Sequence, residues 1–263
     1  MKIKQKVKSL LSDFIHWRVA HRQFKKNKKI LNRIKAIKDM HKGKRCFIIG
    51  TGPSLTIDDL NLLKGEITFA TNRIYELFDK TDWRPTYYVN QDHSLIKKYS
   101  DSIKEVNSKC KFLPIDYKDV FYGDEYLFFV LKHKDFYPSQ SPFSHNLYRF
   151  LAQGFTVTYG AIQIAMYMGF KEIYLLGIDH NYEVTRDSKG NVIRKNVSNS
   201  ASYAKGITEY TDLANLPRVE ETTIAYETAE LISKKRGVRI YNVTRGGKLE
   251  AFERKNLEEV IIK

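Results

Sequence analysis

"TYGAIQIAMYMGFKEIYLLGID", Thr158–Asp179, decides how the rest of the chain is read. It predicts a helix from about Tyr159 to Met168 that stops at Gly169, and then a strand, "EIYLLGI", that is apolar throughout. A strand without polar alternation is buried on both faces, as in a parallel sheet with helices above and below. Outward from it, strand-like and helix-like segments alternate. Cys46–Gly50 reads as strand, and Thr56–Asp59 as a capping-box helix start, with the helix closing near Gly65. "ITFATN", "TYYVN" and "KFLPI" read as strands, with helices at Ile74–Phe78 and Leu95–Val106 between them. After a less regular middle containing "YLFFVL", a helix at Ala225–Lys235 precedes the strand "VRIYNV". The expected fold class is α/β, a doubly wound, mostly parallel, Rossmann-like sheet. The expected organisation is a basic helical arm over residues 1–43 and a nucleotide-binding domain over 44–263, with a lid-like insertion at about 182–217.

Charge is distributed unevenly. The net charge is +15, and residues 1–45 hold sixteen Lys and Arg against Asp13 and Asp39, so the arm supplies nearly all of it. A near-neutral remainder argues against a nucleic-acid-binding core. In the arm, Val7, Leu10, Leu11, Phe14 and Ile15, then Ile30, Leu31, Ile34 and Ile37, fall at helical spacing, with Trp17 and Phe24 as added aromatic anchors. Such a stripe fits an anionic membrane surface through residues 1–40, and it equally fits packing on the domain. The two cysteines, Cys46 and Cys110, are far apart and outside any CxxC, and no apolar run reaches the ~20 residues of a spanning helix. The expected location is cytoplasmic, peripheral on the membrane's inner face.

In a parallel sheet, ligands sit beyond the carboxyl ends of the strands. The residues ending these strands are Gly50-Thr51-Gly52, Asn72, Asn90 and Gly177-Ile178-Asp179. The glycine turn is half a dinucleotide fingerprint, with Leu55 where the third glycine would fall, so what it offers is main-chain N–H groups for a phosphate. Taken alone it is also what a tight turn looks like. Asn72 and Asn90 offer amides that could read a base or sugar, and Asp179-His180 could form an acid–base pair; their plain readings are caps and surface residues. "YEVTRDSKGNVIRKN" reads as a hairpin turning at Ser188–Asn191, and the following stretch, with Tyr203 and Tyr210, as a lid. No Asp-x-Asp, HExxH or Cys/His cluster appears, so no metal ligands are assigned and no cofactor is obligatory.

With "IIGTGPSL", "FATNRIY", "YYVN" and the opening segment in hand, the chain resembles bacterial sialyltransferases of glycosyltransferase family 42. It also resembles the related family of hydroxymethylpterin diphosphokinase MptE-like proteins, to which the ending "IYNVTRGGKLEAF" is the more similar. The resemblance runs from about Lys44 to Phe252. It implies that Gly50, Thr51, Gly52, Asn72 and Asn90 hold the donor nucleotide, with Thr51 replacing an asparagine. Thr158-Tyr159-Gly160 corresponds to a Thr-Ser-Gly motif, and the place of a tyrosine that meets the leaving phosphate holds Asn181, with Tyr182 adjacent. The sialyltransferase base is a histidine before the final long helix; counting back from "VRIYNV" reaches Glu220 instead, with His180 as the other candidate. The function so implied is inverting transfer from a nucleotide-activated sugar, a CMP-linked acidic sugar, to a glycan or glycolipid acceptor in surface polysaccharide synthesis. The alternatives are a magnesium-dependent diphosphokinase that transfers pyrophosphate from ATP, and a non-catalytic nucleotide-binding module at the membrane.

Overall fold

The computed structural model describes residues 14–15, 17–132, 141–182, 184–186, 192–194 and 218–262. In chain order its regular elements are α1 (Lys28–Ala36), β1 (Arg45–Ile49), α2 (Ile57–Leu62), β2 (Thr68–Thr71), β3 (Tyr87–Val89), α3 (His93–Lys98), α4 (Ser100–Glu105), β4 (Cys110–Pro114) and β5 (Tyr126–Phe129). They continue with β6 (Leu131–Lys132), β7 (Leu151–Ala152), α5 (Val157–Tyr167), β8 (Glu172–Leu176), β9 (Val184–Arg186), β10 (Val192–Arg194), α6 (Val219–Lys235), β11 (Arg239–Asn242), β12 (Glu253–Arg254) and α7 (Leu257–Ile261). Eight strands form one sheet in the order β12-β11-β8-β1-β2-β3-β4-β5, and every neighbouring pair is parallel. The expected doubly wound α/β fold is therefore present. β9 and β10 pair antiparallel as the two arms of the expected hairpin; its turn, and the lid residues Tyr203 and Tyr210, lie outside the described residues.

The chain walks outward from β1 to β5, then returns to lay β8 on the other side of β1. That reversal makes the tips of β1 and β8 the switch point of the sheet, where a crevice opens. Phe47–Ile49 of β1 and Ile173–Leu176 of β8 are buried throughout, which is why their sequences show no alternation. Helix α5 packs on β1, β2 and β3, and α6 packs on α5 and β11.

Local chemistry sets several boundaries. The capping box at α2 is formed: Thr56 Oγ1 accepts from Asp59 N (3.2 Å) and Asp59 Oδ2 from Thr56 N (2.9 Å). Asp59 is buried and also receives both arms of Arg245 (2.8 and 2.5 Å), which ties the loop after β11 to the start of α2. The single helix expected over Leu95–Val106 is instead two, α3 and α4. It breaks at Tyr99, whose backbone leaves helical geometry (φ −123°, ψ 33°) with its ring 4.4 Å beneath the Arg73 guanidinium. The expected helix at Ile74–Phe78 is one 3₁₀ turn, Ile74–Leu77.

The arm is built into the domain from its middle onward. Ala20, Phe24 and Ile34 are buried in the core, and α1 packs on β5. Arg33 donates to the main-chain carbonyls of Tyr126 (2.7 Å) and Asp124 at the open flank of that edge strand. Main-chain bonds from Asp39, His41 and Gly43 reach Tyr167, Met168 and Gly169 at the end of α5 (3.1, 2.8 and 3.0 Å). Gly169 sits at φ +89°, and a Cβ there would press on Asp39 and Lys42 at 3.0 Å. Because Ile34 is fully enclosed, Ile34→Ala should cost about 2–5 kcal/mol of stability. Urea unfolding reads this as a lowered midpoint, and a midpoint equal to the parent's would mean that the arm does not pack as described.

Candidate active site

At the switch point two loops meet main chain to main chain. Gly50 N–H donates to Leu176 O and Gly52 N–H to Gly177 O, both at 2.8 Å. A Cβ on Gly50 would lie 2.5 Å from Gly177 O, and one on Gly52 would overlap the Asp179 carboxylate. Neither glycine has positive φ, so it is the missing side chain, not backbone freedom, that the turn needs. Asp179 Oδ2 accepts from Ser54 Oγ (2.8 Å) and Ser54 N (3.4 Å), and Leu55 N–H bonds Gly52 O (3.1 Å). The expected phosphate cradle at this glycine turn is thereby narrowed to the Thr51 amide. The amides of Gly50, Gly52, Ser54 and Leu55 are spent within the protein, and a carboxylate already covers the turn. Asp179 clasps Ser54 through Oδ2. The Thr51 amide is the one N–H of Gly50–Leu55 left without an acceptor among the described residues.

A small cleft of about 100 Å³ lies beyond, lined by Thr51, Asn72, Thr156, Thr158, His180 and Tyr226, with Gly50, Gly52, Asp179 and Tyr182 also in its walls. That is room for a few waters, or for one phosphate-sized group. The N-terminus of α5 enters it: Thr156 is the N-cap, its Oγ1 holds Thr158 N (3.4 Å), and the Val157 amide has no acceptor among the described residues. An eleven-residue helix presents partial positive charge there. Tyr226, wholly buried on α6, brings its hydroxyl to 3.4 Å from Thr156 Oγ1, and burial holds its pKa well above the usual tyrosine value, so it stays a hydroxyl donor.

His180 completes the cleft. Thr223 Oγ1 gives its single proton to Val219 O (2.9 Å), so at 2.8 Å the Nε2 of His180 must be the donor to Thr223. The neutral ring then keeps its lone pair on Nδ1. Burial lowers the His180 pKa, which favours that neutral form. Edge-on contacts to Tyr226 (5.5 Å) and Tyr182 (6.1 Å) fix the ring. Three non-glycine residues in the left-handed region stand at or beside the cleft: Asn72 (φ +52°), Phe155 (+57°) and His180 (+47°). Each stores on the order of 1–3 kcal/mol of strain, the kind found at functional sites.

The remaining expected residues divide. Asn72 lines the cleft, and its Oδ1 is buried without a hydrogen bond. Asn90 does not reach it: its amide donates to Tyr88 Oη (3.1 Å) and accepts from Asp92 N (2.9 Å), while Tyr88 Oη donates to Asn72 O (2.7 Å). Asn90 therefore braces Asn72 through Tyr88. Tyr159 turns away to Pro142 O (2.7 Å), and Gly160 is small because a Cβ would come within 2.7 Å of Gln91 Oε1. Tyr182 is at the mouth, 39% exposed. Glu220 lies exposed on the first turn of α6 and outside the cleft lining. Thr156, Thr223 and Tyr226 were not singled out from sequence. The i, i+3 spacing of Thr223 and Tyr226 on one helix is the signal that could have found them.

Among the described residues no group of three or more His, Cys, Asp or Glu could hold a metal, and no helix is long and apolar enough to cross a membrane.

Fold and cleft together define a parallel α/β protein with a crevice at the switch point of its sheet. A sequence model of one family, described as 6-hydroxymethylpterin diphosphokinase MptE-like, matches residues 21–185, and the chain belongs to that MptE-like family. No curated protein sequence matches it. Among solved structures it is similar to the MAf glycosyltransferase from Magnetospirillum magneticum AMB-1, with a TM-score of 0.52 and 14% identity over 84% of this chain. The match covers 35% of that enzyme, so this chain spans about a third of its length. It also matches the sialyltransferase CstII from Campylobacter jejuni in complex with the substrate analogue CMP-3FNeuAc, at a TM-score of 0.45 and 16% identity, covering 81% of this chain and 87% of that one.

His41, His145 and His180 all have pKa values lowered chiefly by burial. Their neutral forms are favoured in the folded state, so the unfolded chain binds protons first, near pH 6.5. Stability is full above that value and falls as pH drops from it toward the lowered folded values. Urea midpoints compared at about pH 7.5 and about pH 5.5 should show this loss, and His180→Asn should reduce it. An undiminished pH dependence in that variant would contradict the buried neutral ring.

Proposed function

We propose that the chain is a transferase acting on a nucleotide-activated donor, a CMP-linked acidic sugar, with a glycan or glycolipid hydroxyl as acceptor. One observation carries this reading: the N-terminus of α5 and the hydroxyls of Thr156, Thr158 and Tyr226 converge on the same small cleft as a neutral, oriented His180. The leaving phosphate sits against the Thr51 and Val157 amides and the Tyr226 hydroxyl, which stabilise the charge that grows on it. The acceptor oxygen attacks the anomeric carbon from the opposite face as the bond to the phosphate breaks, and His180 Nδ1 takes the acceptor proton. Asn72, with an unpaired Oδ1, faces the sugar or base.

A second reading is favoured by the family description: pyrophosphate transfer from ATP to a hydroxymethyl group. The only carboxylate in the described lining, Asp179, is held by Ser54, so a magnesium ion would rest on the substrate's own phosphates. The fold alone does not choose between these chemistries, nor against a non-catalytic module.

Thermal unfolding with CMP, CDP, UDP and ATP, each with and without magnesium, separates them. CMP at about a hundred times its Kd should stabilise the protein by about 2.7 kcal/mol without metal. Stabilisation by ATP–magnesium alone would replace the first reading by the second, and no stabilisation by any nucleotide would reject both. His180→Asn should lower turnover by about 10²–10⁴-fold with CMP binding retained, whereas Glu220→Gln should change it less than about ten-fold. The reverse pattern would return the base to Glu220.

A further inference from the structure

A second cavity, of about 510 Å³, lies away from the cleft. It runs between the helical residues 14–15 and 17–26 and the segment 143–150, and its walls include Phe14, Trp17, Phe143, Phe150, Arg149 and His145. Beside it the helix leaves a run of large apolar side chains open: Phe14, Ile15, Trp17 and Val19 are 52, 50, 36 and 46% exposed. A folded monomer seldom gathers such residues without a partner.

We propose that this aromatic groove and the helix above it are a docking site for an anionic lipid bilayer, with lipid hydrocarbon entering between Trp17 and Phe143. Two features choose this occupant. The charge is complementary: residues 14–26 carry Arg18, Arg22, Lys25 and Lys26 and no carboxylate, whereas Lys29, Arg33 and Arg45 further on are committed to Asp124, the Tyr126 carbonyl and Glu66. Each such cation near an anionic leaflet adds about 1 kcal/mol. The apolar part is rich in aromatic rings, with Phe14, Trp17 and His21 contacting in series at 5.7 and 5.5 Å, the side-chain type that settles at the headgroup level.

The site is rigid where it joins the domain. Phe24 and Ala20 bury the helix's inner side. Phe143 packs edge-on to Tyr159 (5.6 Å), Tyr159 Oη donates to Pro142 O, and Ser144 N–H donates to Gln163 Oε1 (2.8 Å). Helix α5 thus turns Thr158 to the cleft and Tyr159 and Gln163 to the groove wall. A membrane held in the groove would be held at a fixed orientation to the cleft. The inference does not rest on the proposed reaction.

The chain has two tryptophans, and Trp83 is buried (2% exposed), so a fluorescence change on adding vesicles reports Trp17. The test uses the full chain with vesicles of phosphatidylcholine containing about 30% phosphatidylglycerol, and with phosphatidylcholine alone, at about 0.1 M salt. Expected are co-sedimentation with the anionic vesicles only, quenching of Trp17 by acyl-chain-brominated lipid, and about ten-fold weaker partitioning of Phe14→Ser and of Phe143→Ser. Phe14 is half-exposed, so Phe14→Ser should unfold at the same temperature as the parent. Absence of sedimentation overturns the proposal, as does binding without bromine quenching or binding unchanged in both variants. Tight binding to RNA with none to vesicles would assign the basic face to a different partner. Nucleotide-induced stabilisation measured on the same samples keeps failure here distinct from failure of the transferase reading.

Discussion

The contact on which the structure turns is the meeting of two backbones at the tips of β1 and β8. Gly50 and Gly52 carry no Cβ, and so the chain from Leu176 to Asp179 can lie against them and accept their main-chain N–H groups. Burying those two donors is tolerable because each finds an acceptor there. Asp179 then fastens Ser54, and Arg245 fastens Asp59 one turn further along. The turn is stiff, and of its amides only that of Thr51 is left over, facing the same cleft as the N-terminus of α5.

The cleft combines an unmet hydrogen-bond acceptor with strained backbone. Around it, side-chain amides such as those of Gln163 and Asn242 are consumed by backbone groups. Within it, the Asn72 carbonyl oxygen is buried without a partner, and the residues on three sides sit in strained backbone conformations. An unmet acceptor costs roughly 1–3 kcal/mol, as does each strained residue. A group bound in the cleft would recover part of that loss.

Much of this was legible in the sequence. Residues 158–179 declared a parallel sheet because a strand buried on both faces has no polar alternation to show, and the strand-end residues located the crevice. What escaped was long-range. Gly50-Thr51-Gly52 looks the same in sequence whether it faces a phosphate or a second loop, since the partner, Gly177–Asp179, lies more than a hundred residues away. Thr223 and Tyr226 were invisible for a similar reason. An amphipathic helix advertises its buried face, and a tyrosine or threonine on that face reads as core until His180 and Thr156 are seen against it. Glu220 was reached by counting back without gaps, and a count cannot tell an exposed first turn from a pocket.

The packing of α1 and the residues after it has a consequence for how the chain is made. These residues leave the ribosome ahead of their partners, Asp124 and Tyr126 at the sheet edge and Tyr167 to Gly169 at the end of α5, which are translated roughly a hundred residues later. Until then Phe24 and Ile34 have nothing to bury against, and the flank of β5 must wait for the guanidinium that covers it. Contacts of such sequence separation close slowly. The nascent protein therefore carries the apolar residues of this arm uncovered through that stretch of synthesis, and its sheet acquires a protected edge only when arm and middle have come together.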